Sequence, residues 1–120
     1  MPVILKRAQI RRGRKTQRGD LDITVKSAEG IGKYLAPTWP MVLGHKDGTL
    51  SDEDYEWMYR RILDRNPIKV YRALWKYGKD CGGQITFLCY CPDGVFCHTH
   101  LLIDYLLEKF PTGWEDGRGK

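Results

Sequence analysis

Ile85-Thr86-Phe87-Leu88-Cys89-Tyr90 opens the run ITFLCYCPDGVFCHTHLLIDYLLEK, residues 85–109, and is almost unbroken apolar sequence over the length of one strand. A strand covered on both faces, as in a parallel sheet between helix layers, requires such a run. Cys91 to Phe96 then forms a short loop containing Pro92 and Gly94. A helix follows from about Cys97 to Lys109, with Leu101, Leu102, Tyr105 and Leu106 facing inward and Pro111 just beyond its end. Upstream, Val70, Tyr71, Leu74 and Trp75 mark a helix from about Pro67, with Gly78 as its expected C-terminal stop and Cys81-Gly82-Gly83 turning the chain. Tyr55, Met58, Tyr59, Ile62 and Leu63 fall on one stripe of an earlier helix. Ser51 caps it, Asp54 sits near the positive end of its dipole, and Asn66-Pro67 breaks it.

Before these helices, residues 28–50 hold Gly30, Gly32, Pro37, Pro40, Gly44 and Gly48, and read as one long loop anchored by Tyr34, Leu35, Trp39 and Met41. Leu21-Asp22-Ile23-Thr24-Val25 alternates apolar and polar residues as a strand ending near Lys26-Ser27. Val3 to Ile10 reads as the first strand. The order of strand, long excursion, helices, buried strand, loop and helix predicts an α/β fold. The expected form is a small three-layer sandwich with a mostly parallel sheet and helices on both faces. A single domain over residues 1–111 and a flexible C-terminal tail over 112–120 complete the expected organisation.

Composition sets the class. With 120 residues, 42% of them apolar and 29% charged, the chain is of ordinary globular make-up, and no apolar run approaches the roughly 20 residues of a membrane span. The start, MPVILKRAQIRRGRK, places its short apolar patch before its basic residues, the reverse of a secretory signal, so a cytoplasmic protein is expected. In that reducing compartment the four cysteines are expected to be buried, metal-binding or reactive rather than disulfide-bonded. The formal net charge of +5 is concentrated at one end: residues 1–18 carry seven positive charges and no acid. Arg11, Arg12, Arg14, Lys15 and Arg18 could therefore contact the phosphates of a nucleic acid or of a smaller ligand, or simply form a solvated connection.

The richest chemistry follows the apolar run, in Cys89-Tyr90-Cys91-Pro92-Asp93-Gly94-Val95-Phe96-Cys97-His98-Thr99-His100. Ligands of open α/β sheets settle beyond the carboxyl ends of the strands, where loops lead into helix N-termini. Backbone N–H groups at such a helix start favour an anion and lower the pKa of a thiol such as Cys97. Four readings stay open here. One is a phosphate or nucleotide pocket. The second is a zinc site drawn from Cys89, Cys91, Cys97, His98 and His100, although the usual C-x₂₋₄-C knuckle is absent. The third is nucleophilic catalysis by Cys97 or Cys91 with His98 or His100 as base; a C-x₅-R phosphatase loop is disfavoured, because position 97 is cysteine. The fourth is plain core packing, since cysteine is among the most buried residue types.

Asp22 to Ser27, Leu35-Ala-Pro-Thr-Trp39 with Gly44-His-Lys-Asp-Gly48 and Ser51 to Tyr59, then Leu88-Cys-Tyr-Cys91 and Gly94-Val-Phe-Cys-His98, together resemble the family known as domain of unknown function 488. The resemblance runs from about Ala8 to Leu107. It implies a small α/β domain, found in bacteria and their phages, without a settled activity. In that family arginine usually follows the cysteine–histidine pair, whereas Thr99 stands there in this chain. A replacement charge would have to come from Lys26, Lys33, Lys46 or the basic segment.

These residues predict a pocket for a small anionic, nucleotide-like ligand, held, sequestered or acted upon at the ends of the second and third strands. Its expected contacts are Lys26, Ser27, Lys33, Thr38, Trp39, Cys91, Asp93, Gly94, Cys97 and His98, with Cys97 and His98 as candidate catalytic groups. Trp39 offers a face for stacking a base. His45 is expected on the loop surface, and Asp104, four residues after His100, is placed to orient that ring. No cofactor and no membrane partner are expected.

Overall fold

The computed structural model describes residues 1–92 and 94–119 of the chain. Among them the chain forms β1 (Val3–Gln9), β2 (Asp20–Asp22), α1 (Ile31–Tyr34), α2 (Trp39–Asp47), α3 (Asp52–Arg65), α4 (Ile68–Asp80), β3 (Gln84–Cys89), α5 (His98–Lys109) and β4 (Trp114–Asp116). The strands make one sheet in the order β2-β3-β1-β4 with every pairing parallel. The molecule is the expected small α/β sandwich built on a parallel sheet.

Chain direction explains how the layers are placed. Parallel strands need crossovers, and crossovers are right-handed in nearly all proteins. The steps from β2 to β3 and from β3 to β4 run the same way across the sheet, so their helices fall on the same face. Two contacts agree. A Cβ on Gly78 of α4 would lie 2.5 Å from Val3 and 3.1 Å from Ile85, and Arg7 Nε donates to Thr99 Oγ1 of α5 at 3.1 Å. Val3, Leu5, Ile85, Phe87 and Cys89 on this face are buried, while Gln84, Thr86 and Leu88 on the other are half-buried. Where helices were expected on the second face, the sheet is instead crossed by the β1–β2 connection, residues 10–19, because that step runs the opposite way. Its Ile10, Arg11, Arg14 and Thr16 gather around Leu88 and Tyr90. Among the described residues, helices thus bury the apolar strand on one side.

Ser51 Oγ accepts from Asp54 N at 3.1 Å and opens α3 as its sequence predicts. One core joins the sheet to the helices through Tyr59, Leu63, Leu74, Ile85, Phe87, Leu102, Ile103 and Leu106, each fully buried apolar side chain contributing about 1.5–3 kcal/mol. Among the described residues no helix is long and apolar enough to cross a membrane.

Three expectations are corrected. Residues 28–50 are not one loop: they fold into α1 and α2. Thr38 Oγ1 accepts from Met41 N at 3.4 Å, Pro40 stands in the first turn of α2, and Gly48 ends it at φ 85°. Gly78 does not stop α4 but lies within it at the point of closest approach to the sheet; the helix ends at Cys81, with Gly83 N bonded back to Gly78 O at 2.8 Å. The tail expected over 112–120 is not frayed over its described residues, 112–119, because Trp114–Asp116 pairs with β1 and Trp114 is 5% exposed; Lys120 lies outside the described residues.

Candidate functional site

All four strands point their carboxyl ends the same way, and at that end β2 and β3 lead into turns built differently. After β2, the Asp22 carboxylate accepts from Thr24 N at 2.8 Å, from Thr24 Oγ1 at 2.7 Å and from Ser27 Oγ, while Ser27 N donates to Thr24 Oγ1 at 3.1 Å. This ring of short polar side chains closes the 22–27 turn locally, as aspartate and threonine do where they compete with regular structure. It sets Lys26 Nζ 5.5 Å from the centre of the Tyr90 ring. After β3 the chain turns through Pro92 and Gly94, whose φ of 83° suits glycine. Cys97 then takes extended geometry as the N-cap of α5 without using its side chain as a cap.

A cavity of about 410 Å³ opens between these turns and α2. Lys26, Trp39, Lys46, Tyr90, Cys97 and His98 are among its lining residues, together with Cys89, Cys91, His45, Tyr55 and Phe96. Trp39 is half-exposed on its rim. Among the described residues that line it, two are lysines and none is acidic. His45 stacks on Phe96 with ring centres 4.7 Å apart, meets Tyr55 edge-on, and holds the Asp52 carboxylate at 2.5 Å through Nε2. Rather than standing on an exposed loop as expected, it is a half-buried wall residue of α2.

The floor is sulfur and imidazole. The sulfurs of Cys89, Cys91 and Cys97 lie within 4.8 Å of one another, with Cys89 and Cys97 3.0 Å apart. Arg7 reaches across from β1: its Nη2 is 2.7 Å from Cys89 Sγ and 2.9 Å from the Cys91 carbonyl. His98 Nε2 lies 2.8 Å from the Ile23 carbonyl, which can only accept, so Nε2 carries the proton. In the neutral ring the Nδ1 lone pair therefore faces Cys97 Sγ, 3.7 Å away. Its contacts with Cys89 and then with Cys91 hold the Cys97 thiol well below its ordinary range, with burial opposing and His98 adding to the effect. Cys91 is pushed far up by its contacts with Cys89 and Cys97 and by burial.

Of the expected contact residues, Lys26, Trp39, Cys91, Cys97 and His98 meet at this cavity. Ser27 and Thr38 stand behind it, one in the 22–27 turn and one capping α2. Lys33 is exposed on α1 and Gly94 lines a different hollow with Lys6, His100 and Arg118. Asp93 lies outside the described residues. His100 does not join the cysteines: its Nδ1 is 3.2 Å from Arg118 Nη1, and Asp104 pairs with Arg118 at 2.7 Å instead of orienting that ring. In the basic connection, Arg14 bonds Asp20 at 2.7 Å and Arg18 bonds the Asp80 carbonyl at 2.7 Å. Arg11, Arg12 and Lys15 are exposed on the connection between β1 and β2. Arg7, Tyr55 and Phe96 were not among the site residues expected from the sequence, where Tyr55 was read only as part of a helical stripe. Only the parity of Arg7 with Val3 and Leu5 along a strand hints that it points inward.

No protein-family model, no curated protein and no solved structure matches this chain.

Proposed function

We propose that the cavity binds a small anionic, nucleotide-like molecule. One observation carries this reading: a single hollow of about 410 Å³, at the carboxyl ends of β2 and β3 and the start of α5, gathers Lys26, Lys46, Trp39 and Tyr90. Its volume falls among those of small-molecule sites, roughly 300–1,000 Å³. Trp39 and Tyr90 supply flat apolar faces for a base. Lys26, Lys46 and the first backbone N–H groups of α5 supply positive potential for a phosphate or carboxylate. The site lies where open parallel sheets place their ligands. The exposed Arg11, Arg12 and Lys15 would suit a nucleic acid, but Arg14 and Arg18 are engaged by the fold. We therefore place the ligand in the cavity.

We also propose membership of the domain of unknown function 488 family. Thr99 stands where that family usually has arginine, and Arg7 delivers a guanidinium to the Thr99 hydroxyl from β1. A thermal-shift screen of nucleoside mono-, di- and triphosphates at low and high salt tests the ligand reading. A nucleotide that binds raises the melting temperature, less so at high salt, and loses its effect in Trp39→Ala. A screen without any stabilising nucleotide removes the reading.

A further inference from the structure

Three thiols converging beside an imidazole invite a question separate from the ligand above. The sulfurs of Cys89, Cys91 and Cys97 lie mutually within 4.8 Å, on the end of one strand, the loop after it and the cap of the following helix. A tetrahedral zinc ion with Zn–S bonds of about 2.3 Å sets its sulfurs about 3.8 Å apart. Forming that arrangement asks for side-chain shifts of about 1 Å, including an opening of the 3.0 Å Cys89–Cys97 approach.

Two further observations suit a metal. A zinc-bound histidine usually donates its second ring N–H to a carboxylate or backbone carbonyl, which fixes the tautomer and leaves the other nitrogen free to ligate. His98 is held this way: Nε2–H donates to Ile23 O at 2.8 Å, and Nδ1 faces Cys97 Sγ at 3.7 Å, close to the nitrogen–sulfur edge of such a tetrahedron. Nδ1 is not within 4.8 Å of all three sulfurs, so the imidazole must close onto the ion as the thiolates gather. The Arg7 guanidinium, whose Nη2 lies 2.7 Å from Cys89 Sγ, also gives that sulfur an outer N–H donor of the kind that supports a metal-bound thiolate.

We infer that Cys89, Cys91, Cys97 and His98 form a zinc site, spaced C-x-C-x₅-C-H, that ties the β3 end to the start of α5. Four protein ligands make it a closed, structural centre. Binding converts three thiols to thiolates and releases their protons. Cys97, as a ligand, is then no nucleophile.

The test is made on the full chain without any nucleotide, so its failure would not touch the ligand reading. Protein from zinc-supplemented cells, purified without chelator, is expected to carry about one zinc per chain. Cobalt in its place is expected to show thiolate-to-metal charge transfer and the intense visible bands of a tetrahedral site. Cys91→Ser removes the metal, Cys81→Ser retains it, and His98→Ala weakens binding at least tenfold and alters the visible cobalt bands. Alkylation of the unmodified chain, read by mass spectrometry, does not depend on a variant folding: zinc is expected to shield Cys91 and leave Cys81 reactive. Zinc absent from the purified protein with no cobalt spectrum on titration, alkylation of Cys91 indifferent to saturating zinc, or a Cys89–Cys97 disulfide without metal would each overturn the proposal.

Discussion

Arg7 sits on β1, yet its guanidinium serves the other side of the site, donating to Thr99 Oγ1, meeting Cys89 Sγ and donating to the Cys91 carbonyl. Hydrogen bonds from a charged donor are worth about 1.5–3 kcal/mol, and acceptors left unpaired in a half-buried place add to the loss. Arg7→Met is therefore expected to lower stability by about 3 kcal/mol in urea denaturation. The double variant Arg7→Met/Thr99→Arg is expected to regain part of it by returning a guanidinium from the helix side. An unchanged urea midpoint in the single variant would show these contacts to be idle. His100 provides a pH test. Burial, then the charges of Arg7 and Arg118, hold its imidazole below the ordinary histidine value. The unfolded chain therefore takes up the proton first as pH falls below about 6.5, and stability present above that value is lost through the interval. His100→Gln is expected to flatten the urea midpoint between pH 7 and 5.5; equal slopes in both proteins would contradict the assignment. At this scale the sequence was partly legible. The Cys-His cluster stood out by chemistry, whereas Arg7 was hidden in a run of arginines, because a strand's parity tells which way a side chain points but not what it reaches.

Helices α3 and α5 were readable because their apolar residues recur at helical spacing and their ends carry ordinary signals, Ser51 for one and Pro111 for the other. α2 was not. Met41, Val42 and Leu43 are adjacent rather than spaced, and only Met41 is buried, so no stripe marks the element. Its N-cap Thr38 and terminal Gly48 resemble loop punctuation when no periodicity lies between them. Gly78 teaches the same lesson in reverse: a glycine near a helix end suggests a stop, but this one makes room for the sheet. A Cβ there would meet Val3 at 2.5 Å. Gly78→Ala is expected to cost about 1–3 kcal/mol in chemical denaturation, overriding the roughly 1 kcal/mol by which alanine favours a helix. A stabilised variant would mean that α4 can shift away from β1 freely.

Across the whole molecule, the parallel sheet and α/β class followed from the order of apolar runs, while the face on which each crossover lies depended on strand order, which those runs do not encode. The last strand was also invisible: Trp114-Glu115-Asp116 is short and follows Pro111-Thr112-Gly113, yet it closes the sheet against β1. Truncation after Pro111 is expected to lower the melting temperature by several degrees or leave the chain insoluble, since it exposes the edge of β1 and removes the buried Trp114. A truncated chain as stable as the full one would show β4 to be dispensable. The cavity depends on the same whole, because the 22–27 turn, α2, the end of β3 and the start of α5 each contribute a wall. The most direct test of its role is calorimetric titration of nucleotides into the intact chain and into the Lys26→Ala/Lys46→Ala variant. The expected result is saturable, salt-sensitive binding at one site, weakened at least tenfold by loss of the two lysines; no measurable binding, or equal affinity in both proteins, would contradict it.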